Sequence, residues 1–257
     1  MAWSAAVKAV LLAAGMSSRL RPLTDDRPKC LLTVAGQPIL KRAVDALRGA
    51  GLDELVVVTG YLEDRIQDAL GAWYPDLRVT YRRNADYAAT QNGASLLCAR
   101  AIVEGEPFVM LDGDIVFDAE VLEAVVRSPH ADCLALRPAD DLGDEEVKVV
   151  LDAAEPTRVR RIHVSLPPAD AAGESIGIEK FSAATSAVLF ATIEQRIGEH
   201  GPRYEYYEKA FDQLCQDGRL ALHAVDVGAH YCAEIDTAAD LAEVDRYLRA
   251  RAGGVIK

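Results

Sequence analysis

Four cations, Arg19, Arg21, Arg27 and Lys29, crowd the stretch LLAAGMSSRLRPLTDDRPK between residues 11 and 29. They follow an apolar run and a glycine, in a chain of 257 residues whose formal net charge is −12. A basic loop in an acidic chain implies a local anion, and loop N–H groups at the carboxyl end of a strand suit phosphate. Two groups of carboxylates stand elsewhere: Asp112 and Asp114 in FVMLDGDIVF, and Glu234 and Asp236 in CAEIDTAADL. Hard oxygen ligands of this kind suit Mg²⁺, which keeps waters and substrate oxygens in its shell.

Each feature also has a plain structural use. Gly15 would make a tight turn with solvated cations behind it, and Asp112 and Asp114 would form a second turn. Asp236 or Thr237 would cap a helix. The loop lacks both the GxGxxG spacing of a dinucleotide fold and the GxxxxGK[ST] of a P-loop.

The elements that must position these residues are legible as periodicity. VKAVLLA and ELVVVTG are continuous apolar runs closed by glycine, and PFVMLDGD ends in a polar cluster, as expected of strands covered on both faces. PILKRAVDALRGAG repeats apolar residues at helical spacing and stops at glycine; YLEDRIQDALGAW and TQNGASLLCARAIVEG read as helices too. The series predicts an α/β fold, a Rossmann-like, mostly parallel central sheet flanked by helices. After residue 130, ADCLALRP, EEVKVVLD and TRVRRIHV read as strands joined by short turns, hence antiparallel or mixed pairing. LPPADAAGES reads as a loop. SAATSAVLFATIEQRIGEH and YEYYEKAFDQLCQDG read as helices, LALHAVDVG as a strand, and a last helix starts at Thr237. No internal repeat or low-complexity linker appears. The expectation is one domain over 1–257, with 1–130 mainly nucleotide-binding and 131–257 mainly acceptor-binding.

Composition sets limits. Half the residues are hydrophobic and a quarter charged, an ordinary globular balance. The acidic charge argues against general binding to nucleic acid or membrane surfaces, both polyanionic. Cys30, Cys98, Cys133, Cys215 and Cys232 are widely spaced without a CxxC pair, so they read as reduced thiols. Lys8 interrupts the apolar start, which reads as a first strand rather than a signal peptide, and no stretch is long enough to span a membrane. A cytoplasmic protein is expected, with a homodimer left open.

The segment AVLLAAGMSSRLRPLTDDRPKCLLTVAGQPIL resembles the signature of the sugar-phosphate nucleotidyltransferase superfamily, LAAGxGxRLxPLTxxxPKxLLxVxGxPL, over more than thirty positions. Ser17 stands where that family often has glycine. The resemblance implies a nucleotidyltransferase, GT-A-like fold and an enzyme that releases pyrophosphate. It implies that Leu12, Ala13, Ala14, Gly15, Met16 and Ser17 wrap the base and phosphates of a nucleoside triphosphate, with Asp112 also on the nucleotide. Arg19 would sit on the phosphates and Lys29 on the α-phosphate, as the catalytic cations. Asp114 and Asp236 would hold Mg²⁺, with Glu234 a further ligand.

RNADYAATQNGASLLCAR, GESIGIEKFS and RYEYYEKAF resemble the branch of phosphocholine, inositol-phosphate and aminoalkylphosphonate cytidylyltransferases. That branch implies CTP as nucleotide and a small phosphorylated or phosphonate acceptor. Asn84, Thr90 and Asn92 would lie near base and ribose, although Thr90 serves equally as a helix N-cap. Glu174 and Lys180 would face the acceptor; as plain structure, Lys180 would be a surface cation and Glu174 a loop residue. Tyr204, Tyr206 and Tyr231 remain free for the acceptor, whereas Tyr207, Phe211 and Leu214 share a helical core face. The competing readings are a sugar-1-phosphate nucleotidyltransferase using UTP, dTTP or GTP, a metal-dependent glycosyltransferase and a non-catalytic nucleotide sensor.

Overall fold

The computed structural model describes residues 7–140 and 142–254. In chain order the strands and helices of the first half are β1 (Lys8–Ala13), β2 (Thr33–Val34), β3 (Gln37–Pro38), α1 (Ile39–Gly49), β4 (Glu54–Thr59), α2 (Glu63–Trp73), β5 (Arg78–Arg83), α3 (Asn92–Cys98), α4 (Arg100–Val103), β6 (Phe108–Asp112), β7 (Ile115–Phe117) and α5 (Ala119–Arg127). The second half adds β8 (Cys133–Arg137), β9 (Lys148–Leu151), β10 (Val159–His163), β11 (Gly173–Phe181), α6 (Ala183–His200), α7 (Tyr207–Gln216), β12 (His223–Asp226), β13 (Cys232–Glu234) and α8 (Ala238–Ala252).

The main sheet runs β10-β9-β11-β6-β1-β4-β5, with β8 joining β11 to β12. The pairs β6–β1, β1–β4 and β4–β5 are all parallel, as the alternation of apolar runs and helices requires. β11 enters antiparallel to β6, β8 and β9, and β12 then pairs parallel with β8, giving the mixed half. The first six residues of the chain, part of the apolar start, lie outside the described residues.

One face of the sheet packs Val10, Val56, Phe108, Phe181 and Leu134 against Leu96, Phe190 and Phe211 of α3, α6 and α7. The other packs Leu11, Val57 and Val109 against Leu40, Val44, Ile66 and Val125 of α1, α2 and α5. Period-two alternation along β1 and β4 therefore feeds two cores. A third, small core of Leu20, Leu32, Val34, Ile39, Val116, Ile235 and Val244 clamps the basic loop against the segment leading into α8. That clamp brings Lys29 to Asp236.

Two readings are corrected. The stretch after Leu166 was expected to be loop through Ser175, yet β11 starts at Gly173 and runs nine residues between three neighbours. Its register shifts between Ser175 and Glu179, and Gly177 there has φ +71°, so the bulge hides the alternation. The tyrosine-rich helix begins only at Tyr207 rather than at Tyr204.

Candidate active site

The carboxyl ends of β1 and β6 lie side by side and define the floor of the site. Gly113 N–H donates to Leu12 O at 2.9 Å, and a Cβ at 113 would lie 2.6 Å from that oxygen. Only glycine permits this approach. The turn aims Asp112 and Asp114 into a cleft of ≈ 1140 Å³ that Leu12, Ala14 and Gly15 enter from the β1 side.

Lys29 begins a short 3₁₀ turn after Pro28 and is largely buried. Its Nζ lies 2.7 Å from Asp114 Oδ2 and 2.9 Å from Asp236 Oδ1. Burial alone would lower its pKa, but Asp114 and Asp236 overcome that and hold it above the usual lysine value. Arg19 NH2 reaches Asp236 Oδ2 at 2.8 Å, and its NH1 spans the cleft mouth to Glu145 at 2.5 Å. The hydrogen bond that Arg19 donates to Glu145 and the charge of Asp236 raise the guanidinium pKa against its desolvation.

Asp114, Glu234 and Asp236 each offer a carboxylate oxygen within 4.8 Å of the others. Asp114 Oδ1 is buried with no hydrogen-bond partner among the described residues. An orphaned buried carboxylate oxygen is costly unless something cationic meets it, and an all-oxygen donor set suits Mg²⁺, so the residues fit that ion. Glu234 opens on the cleft yet is walled by protein; desolvation first, then Asp114 and Asp236, push its carboxyl up to about 8. A second group, Asp118, Glu120 and His230, is already engaged: Asp118 takes Arg251 at 2.6 Å and the Tyr231 N–H at 3.1 Å.

The competing use of Asp236 as a cap is resolved. Thr237 accepts from Asp240 N–H and the Asp240 carboxylate accepts from Thr237 N–H, a capping box that leaves both Asp236 oxygens for Lys29 and Arg19.

The nucleotide-side residues divide. Ala14, Gly15, Thr90, Asn92 and Asp112 line the cleft. Ala13, Met16 and Ser17 are not in its wall: Ala13 packs into the core, and Ser17 spends its left-handed conformation, φ +49°, on starting the turn at Ser18–Leu20. Asn84 is a correction as well. It is 5% exposed, donates to Thr90 Oγ1 at 2.9 Å and Ser95 Oγ at 3.0 Å, and so orients Thr90 from behind. Thr90 is not a cap; its hydroxyl donates to Asp86 O, and Gln91 holds the N-cap position of α3. Asn92 Oδ1 accepts the Tyr207 N–H at 2.9 Å and ties α3 to the start of α7.

On the acceptor side, Glu174, Tyr206 and Tyr231 line the cleft. Glu174 pairs with Arg137 at 2.7 Å, and Tyr231 stacks on Tyr247 with ring centroids 4.0 Å apart. Lys180 does not face the acceptor. It is 1% exposed, and its ammonium donates to Ser128 O at 2.8 Å and Val126 O at 3.4 Å beyond α5. Six residues of strand, up to about 20 Å, carry Lys180 away from Glu174.

Sequence reasoning missed Arg137, Glu145 and Glu179. Arg137 closes the apolar run CLALR and Glu145 sits in an acidic run, so neither stood out. Tyr207 is in the core as expected, with its ring 5.1 Å from Phe211, but its hydroxyl also donates to Asp112 Oδ2 at 2.6 Å.

Fold and site together define an α/β protein with a buried cation, Lys29, and a carboxylate cluster, Asp114, Glu234 and Asp236, at one cleft. Residues 9–203 match the MobA-like NTP transferase domain, and the chain belongs to that family. It is 37% identical over 147 residues to the CMP-5'-(3-aminopropyl)phosphonate synthase of Streptomyces rubellomurinus, a match covering 57% of this chain and 23% of that protein. It is 36% identical over 121 residues to the UTP–glucose-1-phosphate uridylyltransferase AglF of Haloferax volcanii, covering 47% of this chain and 49% of that one. The matches therefore span less than half the length of these two relatives. The 2-aminoethylphosphonate cytidylyltransferase of Lancefieldella rimae is 27% identical over 238 residues, 92% of this chain and 91% of its own. Among solved structures, the CTP:phosphocholine cytidylyltransferase of Streptococcus pneumoniae superposes with a TM-score of 0.77 at 22% identity, covering 95% of this chain and 100% of that one. That likeness establishes the fold.

Proposed function

We propose that the protein transfers CMP from CTP to a small phosphorylated or phosphonate acceptor and releases pyrophosphate. The observation that carries the reading is Lys29, a buried ammonium held between Asp114 and Asp236 at the open end of the glycine loop. Such a cation is preorganised for charge that develops at the α-phosphorus. The cytidylyl branch is supported by the Lancefieldella relative, which aligns over nearly the whole of both chains.

An acceptor phosphate has a second pKa of about 6 and is already ionised at neutral pH, so the attacking oxygen needs no general base. It would approach the α-phosphorus in line, opposite the departing pyrophosphate. Lys29 and Arg19 would exchange carboxylate partners for phosphate oxygens, Ala14 and Gly15 would border the nucleotide, and Thr90, oriented by Asn84, would face the ribose or base. Asp114, Asp236 and Glu234 would hold Mg²⁺, which when bound neutralises charge on the phosphoryl oxygens. In this reading residues 1–130 serve mainly the nucleotide and 131–257 mainly the acceptor, with Glu174, Tyr206 and Tyr231 on the acceptor side. We also place the protein in the cytoplasm: its five cysteines are free thiols, which fits a reducing compartment.

A sugar 1-phosphate acceptor with UTP is the second reading, favoured by the Haloferax relative. Pyrophosphate release measured for CTP, UTP, dTTP and GTP against sugar 1-phosphates, phosphocholine, inositol phosphate and aminoalkylphosphonates separates the two. CTP with a non-sugar acceptor is expected to give the highest kcat/KM. A sugar 1-phosphate with UTP or dTTP outperforming every CTP pairing overturns the cytidylyl reading.

A further inference from the structure

The hydroxyl proton of Thr90 is already committed. It is donated to Asp86 O at 3.1 Å, and the same oxygen accepts an N–H from Asn84 Nδ2 at 2.9 Å. The direction of that second bond is fixed from behind. Asp86 N–H donates to Asn84 Oδ1 at 3.1 Å, so the amide nitrogen of this buried side chain faces the hydroxyls of Thr90 and Ser95. A hydroxyl has one donor and two lone pairs. With its proton on Asp86 O and one lone pair on Asn84, Thr90 Oγ1 keeps a single lone pair and can only accept. Ser95 is the permissive neighbour: its Oγ takes the other Asn84 N–H at 3.0 Å, but no acceptor among the described residues takes its own proton, so it can donate or accept.

Both hydroxyls line the cleft on its β5 side. Asn84 directly follows β5, and its N–H donates to Thr59 O at the end of β4; Tyr61 N–H donates to Ala14 O just beyond β1. The carboxyl ends of β1, β4 and β5 therefore form a row leading away from the carboxylates that follow β6. β5 stands two strand spacings, roughly 10 Å, from β1. A nucleotide whose phosphates meet Lys29 and Arg19 lays its sugar and base along that row, because the other direction, past β6, is the acceptor half.

We propose that Thr90 reads the pyrimidine base at its 4-position, and that Asn84, by holding the hydroxyl as an acceptor, sets the choice. Cytosine presents an amino donor at that position, whereas uracil and thymine present a carbonyl acceptor. The amino group fills the last lone pair of Thr90. A carbonyl would meet it lone pair to lone pair and leave both unsatisfied. Ser95 adapts to the bare N3 of cytosine or the protonated N3 of uracil, so it adds affinity without selection. The inference rests on the transfer reading for the place of the phosphates; beyond that reading, it names the discriminating atom.

The test is calorimetric binding, with Mg²⁺, of CTP, UTP and the triphosphate of 2-pyrimidinone riboside, which has no 4-substituent. CTP is expected to bind most tightly, UTP about 5- to 100-fold more weakly and the 2-pyrimidinone nucleotide between them, an order that needs no variant. Thr90→Val, nearly isosteric but without the lone pair, should bring the three within about 3-fold of one another, whereas Thr90→Ser should keep most of the CTP-to-UTP ratio. Ratios taken within one variant are insensitive to partial misfolding. UTP binding as tightly as CTP, a ratio that survives in Thr90→Val, or one that collapses equally in Thr90→Ser overturns the inference. So does an effect of Thr90→Val confined to the ratio of CTP to 2'-deoxy-CTP, which would put the hydroxyl on the ribose. Pyrophosphate release is measured in parallel. Base selection through Thr90 without release from any pairing would leave this inference standing and remove the transfer reading; release favouring CTP with a ratio indifferent to Thr90→Val would do the reverse.

Discussion

Lys29 and Asp236, 207 residues apart in the chain, meet at 2.9 Å, and Asp114 closes on the same ammonium at 2.7 Å. Both ends of the chain therefore build one electrostatic unit, and a change at any of its three members leaves the others unbalanced. Lys29→Met removes the charge and keeps most of the packing. Turnover should fall about 10²- to 10³-fold, comparable to losing one preorganised donor, with a smaller loss of nucleotide affinity. Single-turnover kinetics and nucleotide titration separate the two effects. Unchanged turnover with strongly weakened triphosphate binding would show that Lys29 anchors only the ground state.

The carboxylates make a distinct prediction. Asp114→Asn and Asp236→Asn should each nearly abolish pyrophosphate release, since a Lewis acid at the phosphoryl oxygens is worth on the order of several kcal/mol. A chelator should do the same to the unaltered protein, and Mg²⁺ should restore it. Circular dichroism checks that the variants stay folded. Full turnover in metal-free buffer would contradict the assignment of these residues.

How much of this was legible in the sequence follows from the range of each signal. The strands β1, β4 and β6 are contiguous apolar patterns, and each is legible by itself. The Thr237 capping box is equally local. β11 was not legible, because the bulge at Gly177 interrupts its period and its charged residues, Glu174, Glu179 and Lys180, resemble a solvated segment. Three of them have three different fates: Glu174 on Arg137, Glu179 facing Glu208 and Lys180 under α5. Only tertiary pairing decides among these, and no spacing within nine residues encodes it. The link from Arg19 to Glu145 across the cleft mouth is of the same kind.

Tyr207 joins the core to the site, and removing its hydroxyl tests that join. Tyr207→Phe keeps the ring against Phe211 and leaves Asp112 Oδ2 without the donor now 2.6 Å away. An unsatisfied buried acceptor costs about 1–3 kcal/mol, which a shift in the urea midpoint would report. An unchanged midpoint would mean that water or another donor replaces the hydroxyl without loss.

Gly177 and Gly105 form a matched pair. Both have positive φ, +71° and +77°, but a Cβ at 177 would lie 2.6 Å from Asp112 Oδ2, whereas a Cβ at 105 meets nothing within 4 Å. Gly105→Ala should therefore cost only the backbone term, about 1 kcal/mol, and leave turnover intact. Gly177→Ala should cost roughly 1–3 kcal/mol more, because the bulge or Asp112 must move, and should lower turnover as well. Equal midpoints for the two variants would show that β11 yields freely at the bulge.

Glu179 gives a pH dependence of stability with a definite sign. Its carboxyl is pushed up to about 8 in the folded protein by burial first and by Glu208 second, with the Ser175 hydroxyl acting in the opposite direction. An unfolded glutamate ionises near ~4.3. Between those values the folded state holds a proton that the unfolded state has lost, so stability is greatest below about 4.3 and falls as pH rises toward 8. Taken alone, this group contributes a slope of at most about 1.4 kcal/mol per pH unit. Glu208 and Asp112 face the same space and are likewise raised by burial, so their contributions have the same sign; Tyr207, raised above the ordinary tyrosine value, stays a neutral donor throughout this window. Urea unfolding from pH 5 to pH 9 should show the free energy falling across this window, and Glu179→Gln, which cannot ionise, should flatten the curve and raise its value at pH 8. Parallel curves for the two proteins would show that Glu179 ionises at its ordinary value and that the pocket already supplies it with a cation.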